Sequence, residues 1–374
     1  MNEFKLYPHT VVWEITFACN MRCIHCGTSA GKRRPDELTT AEALGLIDEL
    51  AALECQSITL SGGEPLIRED WPVLARRIKE RGIRLYMVTN GFAVDQQVVD
   101  TMAELQFDHV AISFDGPEKT HNYIRQRPDA YDRAINAMRL MRQSGRVRWC
   151  AISQICNINL GELDDIRKIL IREGCKVWRV QMTTNTGRMQ GLPDMVLSLE
   201  NYPRLIDKMI EFKQQNTIQV DVGENIGYYG NKASALLDDS PYFGCFAGTR
   251  IAGIESNGNV KGCLSMPEQF VEGNIRDSSF TELWNNLSKF SYNRRFTRDT
   301  ASGFCHDCRY LPLCRGGCAT TSVSQTGCRA DNPFCMYRIE TAEGIPPTDP
   351  ELVTELLKKF DEAEAAQRDN CALL

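Results

Sequence analysis

From about residue 10 to residue 215, short runs of apolar and β-branched residues alternate with longer stretches whose apolar positions recur every three or four residues. The runs VVWEITF (11–17), SITL (57–60), RLYMVTN (84–90), HVAISFD (109–115), VRWCAISQI (147–155) and VWRVQM (177–182) are nearly continuous in hydrophobicity, as expected of strands buried on both faces of a parallel sheet. Between them TTAEALGLIDELAAL, WPVLARRIKERG, VDQQVVDTMAEL, AYDRAINAMRLMRQSG and LGELDDIRKILIREG have helical spacing and end near Gly or the next strand. The pattern predicts six βα units, an α/β fold in which a parallel (β/α)6 sheet curls into a partial TIM-type barrel.

LSLENYPRLIDKMIEFKQQN adds one more predicted helix, after which GENIGYYGN and DDSPYFG bring turn residues and little periodicity. The expected organisation is a barrel core over 1–215, a connecting segment over 216–240, a small cysteine-rich domain over 241–340, and a charged helical tail over 341–374. The small domain is expected to hold short helices and β-hairpins, one of them turning at Asn257-Gly258 between TRIAGIES and NVKGCLSM.

Composition changes this picture at one point. The chain has 16 cysteines among 374 residues, yet it is 43% hydrophobic and too large to need disulfides for want of a core. It opens without a signal-peptide pattern and lacks any apolar run long enough to span a bilayer, so a cytoplasmic protein with reduced thiols is expected. A net charge of −6 without a Lys/Arg block argues against a nucleic-acid or membrane partner. Thiols in that setting commonly bind metal.

Three of them, Cys19, Cys23 and Cys26, form CxxxCxxC directly after the first predicted strand, in a βα loop at the end of the sheet where barrel active sites lie. Three thiolates can hold a four-iron cluster and leave its fourth iron open to a ligand. A zinc site completed by His25 or a distant residue is the alternative.

With this spacing the chain resembles the radical S-adenosylmethionine (radical SAM) superfamily, whose signature is CxxxCxxC in this loop. The resemblance implies a 4Fe-4S cluster whose open iron is chelated by the methionyl amine and carboxylate of S-adenosyl-L-methionine. It also implies cofactor-binding roles for Gly62, Gly63, Glu64 and Pro65, which look like the family's GGEP motif, and for Asn90 and Ser113 at the ends of the next two strands. Asp115 and Arg125 stand where ribose and carboxylate partners are expected, and His25 where the family often places an aromatic residue near adenine. No acid, base or nucleophile is required for cofactor cleavage, so no catalytic residue is assigned beyond the cluster ligands.

The later cysteines, Cys245-x12-Gly258-x4-Cys263, then Cys305-x2-Cys308-x5-Cys314-x3-Cys318, and Cys335, resemble the SPASM extension found on peptide-modifying radical enzymes. By that resemblance Cys245, Cys263 and Cys318 bind one auxiliary 4Fe-4S cluster, with an open iron or a non-cysteine fourth ligand. Cys305, Cys308, Cys314 and Cys335 bind a second, Cys328 being an alternative to Cys335. Paired zinc ribbons are the competing reading of this set.

The expected enzyme is an oxidoreductase with three 4Fe-4S clusters. It would split S-adenosyl-L-methionine reductively to a 5′-deoxyadenosyl radical and modify a ribosomally made peptide oxidatively, by crosslink, thioether formation or decarboxylation. A flavodoxin- or ferredoxin-type reductant is implied. Because only about ten residues precede the first strand, a separate leader-binding protein is expected to assist. The alternatives are a small-molecule substrate such as a haem or cofactor precursor or a sugar, and a multi-cluster electron-transfer protein without catalysis.

Overall fold

The computed structural model describes residues 7–238 and 242–347, together with Glu355 and Lys358. Seven strands, β1 (Thr10–Thr16), β2 (Ser57–Gly62), β3 (Arg84–Thr89), β4 (His109–Ser113), β5 (Trp149–Ile155), β6 (Val177–Met182) and β7 (Gln219–Val222), lie side by side in sequence order. Each pairs in parallel with the next. The helices α1 (Thr40–Ala52), α2 (Trp71–Glu80), α3 (Gln96–Glu104), α4 (Glu118–Arg125), α5 (Ala130–Ser144), α6 (Leu163–Arg172) and α7 (Tyr202–Gln215) make the crossovers.

Alternation along the strands decides which face each residue takes. In β1, Val11, Trp13 and Ile15 are fully buried beneath the helices, while Val12, Glu14 and Thr16 point to the other, concave face. Helix α1 starts at a capping box, Thr39 with Glu42, and turns Ala43, Leu46, Ile47 and Leu50 toward those strand residues. Helix α5 ends on Gly145, whose φ of +60° suits glycine. The core is therefore the layer between sheet and helices, and the concave face is left for polar groups.

Two differences from expectation concern the edges of the sheet. A seventh strand, β7, forms inside the predicted connecting segment. It is only four residues long and follows a helix directly, which left too little alternation to read. The cysteine-rich part does not stand apart either. Its strand β8 (Ile251–Ile254) pairs in parallel with β1, from Thr10 with Ile251 to Trp13 with Ile254. Strand β9 (Asn259–Lys261) returns antiparallel from β8 through the predicted turn at Asn257-Gly258, and β10 (Gly273–Asn274) follows it. Among the described residues the sheet has ten strands with β7 and β10 at its edges, so the barrel is open.

Helix α4 was hidden by its polar composition; only His121, Ile124 and Arg125 are buried. Helix α7 starts at Tyr202, a few residues later than its apolar pattern, with Pro203 in the first turn where a missing N–H costs least. The tail helix expected beyond 347 falls almost entirely outside the described residues. No helix among those described is long and apolar enough to cross a membrane.

Candidate metal and cofactor site

The loop after β1 carries Cys19, Cys23 and Cys26, and four other loops at the same end of the sheet hold it in shape. The Ile24 N–H donates to Ile124 O (2.9 Å) from α4, and Arg127 Nη1 donates to Asn20 O (3.2 Å). Asn90, after β3, donates through its side-chain amide to Asn20 Oδ1 (2.8 Å). Arg188, after β6, donates through Nε to Cys23 O (2.7 Å) and through Nη1 to Ala30 O (3.0 Å). Gly187 lies so close that a Cβ there would sit 2.3 Å from Cys26 O, at a φ of +55°.

The Ser61–Pro65 segment crosses behind this loop. Gly63 N–H donates to Thr16 O and Glu64 N–H to Ala18 O, both at 2.8 Å. A Cβ at Gly63 would lie 2.0 Å from Ala18 O, and one at Gly62 2.4 Å from Thr16 O, so only glycine lets the end of β2 ride this closely on the cysteine loop. The Glu64 carboxylate is fully buried and accepts from Thr89 Oγ1 (2.7 Å), Asn90 N–H (2.8 Å) and Leu66 N–H (3.3 Å). Burial is the largest influence on this group and pushes its pKa up to about 7. The carboxylate thereby clamps the ends of β2 and β3 together. Pro65 opens a short helical turn behind it.

Asp115, Arg125 and His25, assigned separately to the cofactor, meet one another. The Asp115 carboxylate is fully buried, 2.6 Å from Arg125 Nη2 and 2.9 Å from His25 Nε2, and also accepts from Gln154 N–H (2.9 Å). Its burial opposes ionisation, but Arg125 and His25 outweigh that and hold its pKa well below the usual carboxylate range. Arg125 Nη1 lies 3.8 Å from Cys23 Sγ. The carboxylate that Arg125 finds is thus the protein's own. Asn90 and Ser113 are both buried at strand ends, and Asn90 bonds to the loop through Asn20.

Sequence reasoning missed the run Thr183 to Arg188 after β6. It packs on the cysteine loop and contains Asn185, whose buried Oδ1 has no protein partner. A polar Thr-Asn-Gly-like run ending a strand was the available signal, the same kind that marked Thr89-Asn90-Gly91.

Elsewhere Cys305, Cys308, Cys314 and Cys335 line one small cavity walled by Tyr228, Tyr229, Phe304, Tyr310 and Tyr337. Burial pushes Cys335 up to about 12 and Cys308 up to about 11, with neighbouring thiols adding to the shift. Cys328 is exposed and not part of this cavity. Cys245, Cys263 and Cys318 form a separate group, in which burial first and then the other two sulfurs push Cys263 up to about 12. Burial likewise pushes Cys19 up to about 12 and raises Cys23. Thiols so placed become ligands only when a cation offsets the cost of ionising them in a desolvated site.

These donor sets fit iron–sulfur clusters. The second auxiliary set brings four thiols to one cavity, an all-sulfur donor set of the kind these clusters take. Among the described residues, no three His, Cys, Asp or Glu side chains converge on one point as ligands of a single ion do. An open parallel barrel with a three-thiol loop at the carboxyl ends of its strands, joined to a cysteine-rich module, is the arrangement that the resemblance to radical iron–sulfur enzymes implies.

Comparison with known proteins gives the family. Residues 13–170 match the radical SAM superfamily, and residues 245–309 match SPASM, an iron–sulfur cluster-binding domain. The chain belongs to the radical SAM superfamily and carries a SPASM domain. It is 27% identical over 343 residues to the AdoMet-dependent heme synthase of Nitratidesulfovibrio vulgaris, covering 88% of this chain and 92% of that one. It is 27% identical over 329 residues to the mycofactocin maturase MftC of Mycobacterium tuberculosis, covering 87% and 82%. Streptococcus suis SuiB, solved with S-adenosylmethionine, shares the fold at a TM-score of 0.68 with 17% sequence identity, over 88% of this chain and 76% of that one. Family membership implies 4Fe-4S chemistry and S-adenosylmethionine binding.

Proposed function

We propose that this radical SAM enzyme holds three 4Fe-4S clusters, on Cys19, Cys23 and Cys26, on Cys245, Cys263 and Cys318, and on Cys305, Cys308, Cys314 and Cys335, and that it oxidises a ribosomally made peptide. The first cluster, when bound, supplies the electron that splits S-adenosyl-L-methionine into methionine and a 5′-deoxyadenosyl radical. The observation carrying this reading is the convergence of the Cys19–Cys26 loop with the Gly62–Pro65 and Thr89–Gly91 segments at one end of an open sheet. The protein's own part is positional: Glu64 fixes the two strand ends, Gly62 and Gly63 permit close approach, and Asn90 and Ser113 face the cofactor side.

A peptide substrate is supported by the likeness to a mycofactocin maturase and by the open barrel, which gives an extended chain lateral access to the concave face. A flavodoxin- or ferredoxin-type reductant and a separate leader-binding protein belong to the same proposal. A haem or other cofactor precursor is the second reading, favoured by heme synthase relatives at 27% and 28% identity that cover 88% of this chain. Anaerobically reconstituted protein with S-adenosyl-L-methionine and dithionite is expected to release 5′-deoxyadenosine. Co-expression with short reading frames flanking the gene, followed by peptide mass spectrometry, separates the substrate readings: an unmodified set of peptides removes the first.

A further inference from the structure

The three side chains His25, Asp115 and Arg125 form a buried charge relay that ends on a cluster ligand. Arg125 is 7% exposed and Asp115 not at all. Asp115 sits behind the guanidinium, 2.6 Å from Nη2, and His25 braces the same carboxylate oxygen from the other side at 2.9 Å. His25 is itself part of the cysteine loop. The positive end of this ion pair faces Cys23 Sγ at 3.8 Å, and the Arg125 Nε, also buried, has no acceptor among the protein's atoms.

We propose that Arg125 is a positioning residue for the N-terminal cluster: it donates to the Cys23 sulfur and, with Asp115 as counter-charge, sets the potential at which that cluster accepts an electron. This rests on Cys19, Cys23 and Cys26 being cluster ligands, and it replaces the expectation that Arg125 grips the carboxylate of S-adenosylmethionine. A reduced cluster carries one more negative charge than an oxidised one. A guanidinium in a water-poor site beside a ligand sulfur therefore favours the reduced form, and Asp115 tempers that preference. Removing the cation makes the cluster harder to reduce; removing the counter-charge makes it easier.

The test is a potentiometric titration of the full-length holoprotein followed by electron paramagnetic resonance, with the N-terminal cluster identified by the change S-adenosyl-L-methionine causes in its signal. In R125Q the reduced-to-oxidised ratio at a fixed potential is expected to fall at least tenfold, a displacement of 59 mV for a one-electron couple. R125K, which keeps the charge, is expected to restore most of it, and D115N to move the midpoint the opposite way. Should R125Q fail to retain iron, D115N still reads the same quantity, and a D115N midpoint equal to that of the wild type overturns the proposal. An R125Q protein with unchanged midpoint and weakened S-adenosyl-L-methionine binding overturns it in favour of a cofactor-carboxylate role. A wild-type protein without any signal sensitive to S-adenosyl-L-methionine removes the cluster reading itself, which distinguishes that failure from the loss of this inference alone.

Discussion

The cysteine loop after β1 and the cysteine-rich module past residue 241 solve one problem, holding buried thiols, in opposite ways. Three thiols of the first lie within eight residues and are held by backbone and side-chain hydrogen bonds from the loops after β2, β3, β4 and β6. That geometry stands on a packed sheet whose helix-facing strand residues are buried. Seven thiols of the second are spread from Cys245 to Cys335, carried by helices of four to eight residues and by turns. On the proposed ligand sets, the first site is one the fold preorganises for a cluster, and the second is one in which bound clusters would complete a core.

Four experiments break or sharpen that contrast. The largest effect is expected from C23A, which should abolish 5′-deoxyadenosine formation while the iron on the C-terminal cysteines stays; loss of all iron together would mean the two regions assemble as one. Next, stripping iron with a chelator should expose the amides of residues 301–340 to hydrogen exchange, while β1 to β6 keep their protection. Equal loss in both regions would contradict a preorganised first site.

A smaller effect is expected in the tight crossing behind the loop. G63A must push Ala18 O away and should destabilise the barrel by roughly 1–3 kcal/mol, read as a lower denaturation midpoint. Gly145, which ends α5 with open space around it, should tolerate alanine far better, limited to the strain of its positive φ. The smallest effect is expected at the exposed seam. Arg276 pairs with Glu42 of α1 at 2.6 Å, and R276Q should cost less than about 1 kcal/mol and less still in high salt.

Acid should act on the barrel in a definite direction. His121 is buried beside Arg125 and Asp115, and burial followed by the Arg125 charge pushes its pKa down to about 3. In the unfolded chain it titrates at about 6.5, so between these values the unfolded state binds more protons. Stability should fall as pH drops from about 6.5 toward 3, by up to about 1.4 kcal/mol per pH unit for this group. Replacing His121 with glutamine should flatten that slope, measured by denaturant unfolding at several pH values.

Much of this was legible in the amino-acid order because it is local. Buried parallel strands announce themselves as unbroken apolar runs, helices as a period of 3.6, and a cluster loop as three cysteines at fixed spacing. Strand β7 was missed because four residues next to a helix carry no period, and α4 because its outer face is polar. No local pattern announces that β8 hydrogen-bonds to β1, a contact between residues some 240 positions apart in sequence.

The sequence alone determined the αβ alternation, the three-cysteine loop, the glycines that must pass close to it, and the grouping of thiols into an early and a late set. Tertiary structure decided what the polar residues among them do. Glu64 clamps two strand ends together, Arg125 pairs with Asp115, and Cys335 rather than Cys328 shares a cavity with Cys305, Cys308 and Cys314. A charged side chain's partner is whichever group folding brings within about 3 Å, and no local pattern encodes that distance.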